Sequence, residues 1–372
     1  MKITFLLSSI TFVRFLKRIE ILSQLGTTAS VFAFERKGTY PGKQVDFKIQ
    51  KLGSISHGSY IRRIFRLLSS IKIISGAVKQ TDVIYAFGLD MLFLGHLSKL
   101  FSKNKNQKLV YEVGDIRGIF LGETVINKLF RFFERQLLKK VTLLVITSKA
   151  YYEEYFLKIQ KAKNLNFHVI ENKIDPNLFQ SIDKMQVSDR TQDVLTIGYF
   201  GVLRCERTWQ ILKMLADKAA DKMKIYIRGV PGVGLENQLS EIGNIPNIIY
   251  DGPYVVPDDL QAMYEKVDIV WAAYPYQGER KGNWSWARTI RFYESCYFSK
   301  PVIVQKGTED CKTVQEYDFG CCLDLSNVNE AVNSIMNISG DQILNWKQNV
   351  CNLPKDIYLL TNEHKELINN LN

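Results

Sequence analysis

The side chains of this chain that could do chemistry are gathered in two glycine-and-arginine turns and one helix-borne glutamate. The turn Gly198-Tyr-Phe-Gly201-Val-Leu-Arg204-Cys-Glu-Arg207 ends an apolar run and precedes a helix-like one. Glycine lets the backbone approach a ligand closely, a helix start favours anions, and arginine adds forked hydrogen bonds to phosphate oxygens. Gly201, Arg204 and Arg207 therefore fit a diphosphate, and a tight turn with two surface arginines fits the same spacing. A second turn, Arg228-Gly229-Val-Pro-Gly232-Val-Gly234, contains GxG without the GxGxxG order of a dinucleotide fingerprint. Tyr254, just after Gly252-Pro253, offers an aromatic face to a base, or is an ordinary loop tyrosine.

The stretch Val270 to Gly307 reads as strand, long polar loop, helix and strand. Its loop collects Tyr274, Arg280, Lys281, Asn283 and Trp284, too many hydrogen-bonding and stacking groups for a spacer. Glu294, in the helix that follows, is expected to point out of the core. There it accepts hydrogen bonds from a ribose diol or lies on a solvated face. In the first half, Tyr111-Glu112-Val-Gly114-Asp115-Ile-Arg117-Gly118 follows a strand-like run. Asp115 and Arg117 could orient a hydroxyl or supply a base, or simply close a turn. His57 and His96 complete the candidates near neutral pH, His96 within an apolar helical pattern that suits a packed side chain.

These residues need elements to hold them. β-rich runs at Ile3–Leu7, Ser30–Phe34, Val83–Phe87, Lys108–Val113 and Leu143–Thr147 alternate with segments of helical period, such as Tyr60–Val78 and Val125–Lys140. Strands separated by helices imply parallel pairing and a doubly wound sheet. The polar stretch Ser181–Asp193 is the expected linker, and a second alternating series begins at Leu195. The expected division is thus 1–185 and 194–352, with 353–372 a last helix that packs back on the first domain. A chain of 372 residues also exceeds what one core usually serves. Loops at the carboxyl ends of such strands are where ligands bind.

Composition narrows the partners. Residues 1–190 carry 31 Lys/Arg against 15 Asp/Glu, and the remainder 18 against 23, within a net charge of +11. A basic first half suits a polyanion, and its helices interleave Arg62, Arg63, Arg66 and Lys72, or Lys128, Arg131, Arg135, Lys139 and Lys140, with apolar residues. The pattern predicts peripheral contact with an anionic membrane, or only a solvated face over a sheet. It contains no nucleic-acid recognition motif. The cysteines Cys205, Cys296, Cys311, Cys321, Cys322 and Cys351 lack metal-ligand spacing, and Cys321 and Cys322 read as reduced, buried thiols.

In their order, GYFGVLRCER, RGVPGVG, NIIYDGPY, LQAMYEKVDIVWAAYP and RFYESCYFSKPVIV resemble the GT-B glycosyltransferases of family 4, the retaining group that includes bacterial polysaccharide enzymes. The resemblance implies an α/β fold of two Rossmann-like doubly wound domains facing across a cleft. The second domain would bind a nucleotide-sugar donor and the first a glycan or lipid-linked acceptor, in the cytoplasm or at the inner membrane face. It implies no cofactor and no metal. Gly201 matches the glycine of the family's phosphate turn, Arg207 stands where a donor-phosphate lysine is usual, and Arg204 is a second basic group beside it. Glu294 matches the later member of a glutamate pair, while Trp286 stands where the earlier one is expected. Arg207, Arg204 and Asp115 are the expected catalytic groups. Gly201, Arg228, Gly229, Tyr254, Tyr274, Asn283 and Glu294 are the expected donor site. A nucleotide-sugar epimerase and a non-catalytic glycan-assembly scaffold are the alternative readings on the same fold.

Overall fold

Short runs such as Val83–Phe87 are apolar at every position and buried along their whole length. That pattern belongs to inner strands of a parallel sheet, covered by helices on both faces. The computed structural model describes residues 1–36, 45–55, 60–102, 104, 106–179, 194–232, 235, 236, 238, 242, 245–278 and 282–372. His57, Arg280, Lys281, Gly234 and the expected linker Ser181–Asp193 lie outside them, as do the side chains of Arg62 and Arg63.

The chain divides into two units, Met1–Glu171 with Asn362–Asn372, and Asn172–Thr361. In unit 1, β1 (Lys2–Leu7), β2 (Thr28–Arg36), β3 (Ile49–Ile55), β4 (Val83–Phe87), β5 (Lys108–Val113), β6 (Leu143–Ile146) and β7 (Phe167–Val169) form one parallel sheet in the order β3-β2-β1-β4-β5-β6-β7. The order reverses at β1 and β4, so the loops after these strands diverge and open a crevice at their carboxyl ends. In unit 2, β8 (Leu195–Leu203), β9 (Met223–Pro231), β10 (Ile248–Tyr250), β11 (Ile269–Trp271), β12 (Val302–Gln305) and β13 (Gly320–Leu323) pair in parallel as β10-β9-β8-β11-β12-β13. Its reversal lies between β8 and β11.

Three expectations are corrected. The division falls at Glu171 and Asn172 rather than after 185. The reason is local: Ile174 N donates to Tyr358 O and Leu360 N to Ile174 O, tying the segment after β7 to unit 2. The chain returns to unit 1 at Asn362, and the helix Glu363–Leu371 packs there on the helix Val13–Gln24. Cys322, expected as a thiol, forms a disulfide with Cys311, with 5.6 Å between Cα atoms, while Cys321 is a free thiol. The helix Glu309–Tyr317, which follows β12, lies against β13 and brings the two together.

The third correction concerns Glu294, expected on an outward face. The helix Ile290–Tyr297 buries Phe292, Tyr293, Glu294, Ser295, Cys296 and Tyr297. So short a helix, aromatic on several sides, is enclosed almost all round, and its carboxylate goes inward with it.

Candidate functional site

In unit 2 the site is built where β8 and β11 end. Gly201 has φ of +98°, and Gly229 opposite it on β9 has φ of +147°. A Cβ on Gly229 would stand 1.8 Å from Gly201 O, so these two backbones approach as only glycine allows. Past the end of β8, Cys205 caps the helix Glu206–Lys218, its sulfur accepting from Thr208 N at 3.3 Å. The same sulfur accepts from Tyr276 N at 3.3 Å, which joins the loop after β11 to this helix start. The Arg204 guanidinium stands 4.9 Å from the centre of the Trp284 ring, and Arg207 5.2 Å from that of Tyr276. Arg207 also donates to Ser326 O at 2.9 Å. Tyr274 lies 5.1 Å from Trp284, ring to ring, and donates to Arg288 O at 3.0 Å. Asn283 opens the short helix Asn283–Trp286, where Trp286 is buried.

The second part of this site is centred on Arg291, which sequence reasoning did not single out. Its guanidinium donates to Phe200 O at 2.6 Å and to Ala273 O at 2.8 Å, bracing the ends of β8 and β11. Its Nε is buried without a hydrogen-bond partner. One turn on, Glu294 accepts from Tyr264 OH at 2.8 Å. Burial pushes its carboxyl up to about 7, against the opposing pull of the Tyr264 hydrogen bond and the Arg291 charge. Burial, with the nearby Glu294 charge, also pushes Tyr254 up to about 12. A Cβ on Gly201 would stand 3.8 Å from the Tyr254 hydroxyl and 4.0 Å from Arg291. Gly201, Tyr254, Arg291 and Glu294 are therefore one cluster, directly preceding the Arg204 and Arg207 turn. The spacing Arg291 to Glu294, three residues on a helix otherwise rich in aromatics, was the available signal.

Arg228 is placed differently from expectation. Its guanidinium donates to Gly252 O at 3.2 Å and Pro253 O at 2.6 Å, and lies 3.6 Å and 3.5 Å from Asp251 and Asp259. These contacts turn it toward the loop 251–259, so it shapes the segment that presents Tyr254.

Unit 1 holds a cavity of about 610 Å³ at the ends of β1, β4 and β5, lined by residues that include Ser8, Arg14, Gly88, Asp115, Arg117 and Glu134. Asp115 lies on the exposed part of this lining. Glu134 is buried and accepts from Tyr111 OH at 2.8 Å, Tyr155 OH and Gln160 Nε2. Burial raises its carboxyl pKa despite these three donors. Glu112, next to Tyr111, serves a separate buried network: Arg18 meets both its oxygens at 3.3 Å and Tyr85 OH donates at 2.6 Å. His364 joins through Arg18 at 2.5 Å, and burial first, then the Arg18 charge, lowers its imidazole to about 3.

No protein-family model matches the chain. The succinoglycan biosynthesis protein ExoL of Rhizobium meliloti (strain 1021) is 28% identical over 301 residues, 79% of this chain and 74% of that protein. Among solved structures, Anabaena Alr3699/HepE in complex with UDP superposes with a TM-score of 0.70 at 16% identity, over 100% of this chain and 99% of that one. The same protein with UDP and glucose gives 0.68 at 14%, again over 100% and 99%. Sucrose-phosphate synthase from Thermosynechococcus elongatus gives 0.68 at 13%, over 99% and 98%. With its two parallel α/β units, the chain has the fold of the GT-B glycosyltransferases.

Proposed function

We propose that this chain is a glycosyltransferase of polysaccharide biosynthesis. It moves a sugar from a nucleotide-sugar donor to a glycan or lipid-linked acceptor on the cytoplasmic side of the cell, with retention at the anomeric carbon. The observation that carries the reading is the pair of glycines, Gly201 and Gly229, in close backbone approach beside Arg204 and Arg207. A strand end without side chains, followed by two guanidinium groups at a helix start, suits a diphosphate. ExoL, by its name a succinoglycan biosynthesis protein, and HepE, whose structures contain UDP and glucose, support the same reading.

In this reading the sugar carbon gains positive charge as its bond to the diphosphate breaks. Arg204 and Arg207 stabilise the departing negative charge, the work a metal ion does elsewhere. Tyr254 stacks on or hydrogen-bonds the nucleoside, and Glu294 takes the ribose hydroxyls on the carboxylate oxygen turned away from Tyr264. Arg291 braces the strand ends beside Gly201 through Phe200 O and Ala273 O. Asp115, in the lining of the unit 1 cavity, orients the acceptor.

Arg207→Ala, assayed at saturating donor, is expected to slow turnover on the order of a hundredfold. Unchanged turnover overturns the assignment. The buried Trp286 favours a second reading, a scaffold that binds donor without turnover, because it stands where the resemblance leads one to expect a carboxylate. Calorimetric donor binding with no transfer to any acceptor tested would select it.

A further inference from the structure

The helix Val125–Leu138 is turned inside out relative to an ordinary helix covering a sheet. Its buried residues are Arg131, Glu134, Leu137 and Leu138. Val125, Ile126, Leu129, Phe132 and Phe133 are between 39% and 82% exposed. At 3.6 residues per turn those five fall within an arc of about 120°. The interleaving of basic and apolar residues in this segment predicts Arg131 on a basic outer face. Instead it faces inward and donates to Phe120 O at 2.9 Å and to Gly122 O, while Glu134 receives Tyr111, Tyr155 and Gln160. The inward polar groups fix the helix's rotation, and the apolar stripe is left outside.

That stripe lies on a capped helix. Thr124 and Asn127 form a reciprocal capping box at its start, and Phe133 meets Phe93 of the helix Leu89–Ser102 edge to face at 5.4 Å. An apolar face this large on a structured helix marks a contact surface. Its border is cationic: Lys128 and Lys139 project along one edge and Lys140 follows the helix, all exposed. Glu123 is the acidic group at its start, 3.6 Å from Arg131. Among the described residues no helix is long and apolar enough to cross a membrane.

We propose that this face is a docking surface for an anionic lipid bilayer, with Val125, Ile126, Leu129 and Phe132 inserted at the headgroup boundary and the lysines on lipid phosphates. A row of apolar side chains with lysines beside it matches a headgroup boundary, where apolar depth and anionic charge lie side by side. The opposite side of the same helix supplies Glu134 to the unit 1 cavity. Docking would therefore fix that cavity at a set distance from the lipid surface. This use of the cavity rests on the proposed transfer reaction, whereas the lipid contact does not require it.

The test is vesicle flotation of the whole protein, with phosphatidylglycerol-rich vesicles against pure phosphatidylcholine. The variant Ile126→Ser/Leu129→Ser/Phe132→Ser removes apolar atoms that are already exposed, and its circular dichroism and melting curve verify folding. The expected result is binding of the wild type to anionic vesicles, reduced about tenfold or more in the triple variant. Lys128→Glu/Lys139→Glu should weaken binding and flatten its salt dependence. Wild type that stays unbound at low salt, or a folded triple variant that floats undiminished, overturns the proposal. So does a wild-type dimer that the triple variant converts to monomer without any vesicle binding, which assigns the face to a second copy of the chain. Donor turnover in detergent-free buffer on a water-soluble acceptor, unchanged in the triple variant, separates this outcome from any failure of the catalytic reading.

Discussion

Glu294 shows what a single residue's surroundings decide. A carboxylate with two oxygens has one of them bound to Tyr264, and burial raises its pKa to about 7. Because the folded value lies above the unfolded one, near 4.5, the contribution to stability is full below about pH 4.5 and is lost as pH rises through about 7. Glu294→Gln keeps an acceptor for Tyr264 and removes the ionisation. Denaturant titrations at about pH 5 and pH 8 should show unit 2 of the wild type losing roughly 3 kcal/mol more than the variant across that range. Equal losses would mean that the carboxylate is better solvated than its enclosure suggests. The residue type and its place on a helix were readable from the sequence. Its inward direction was not, because that depends on Tyr264 and Phe200, which arrive from other elements.

Elements were more legible than directions. Val83–Phe87, Lys108–Val113 and the helix Tyr60–Val78 have the boundaries that their periodicity predicts. The strand Ile49–Ile55 was not anticipated, since IQKLGSI interrupts its apolar residues with Gln, Lys, Gly and Ser, as an edge strand can. The Gly201 and Gly229 contact was half legible: two glycines at strand ends suggested room for a ligand, but only parallel register sets them opposite each other. Gly229→Ala must displace Gly201 O from a 1.8 Å overlap and adopt a φ of +147°. It should destabilise unit 2 by about 3 kcal/mol or more, read as a lower melting temperature, and abolish donor binding with it. At the other helix of interest, Thr124→Ala removes one arm of the capping box. About 1 kcal/mol of stability should be lost, with vesicle binding retained once folding is complete.

At the scale of the molecule, unit 1 is assembled from two separate parts of the chain. Leu367 and Leu371 of the last helix are buried, Arg18 meets His364, and Lys108 Nζ donates to Leu371 O at 2.7 Å. His364 is held far below its ordinary pKa, at about 3. A base with a depressed folded value stabilises fully above its unfolded pKa, about 6.5, and loses that contribution as pH falls toward 3. His364→Gln should therefore flatten the acid side of unit 1's unfolding profile, while Glu294→Gln flattens the neutral side of unit 2's. A profile unmoved by His364→Gln would show that the imidazole is already solvated. The order of residues also sets an order in time. Residues 172–361 leave the ribosome before the helix 363–371, so unit 1 waits with the face of Val13–Gln24 uncovered through the whole synthesis of unit 2. Nascent unit 1 should thus keep Arg18, the partner of His364, uncovered until residues 363–371 emerge.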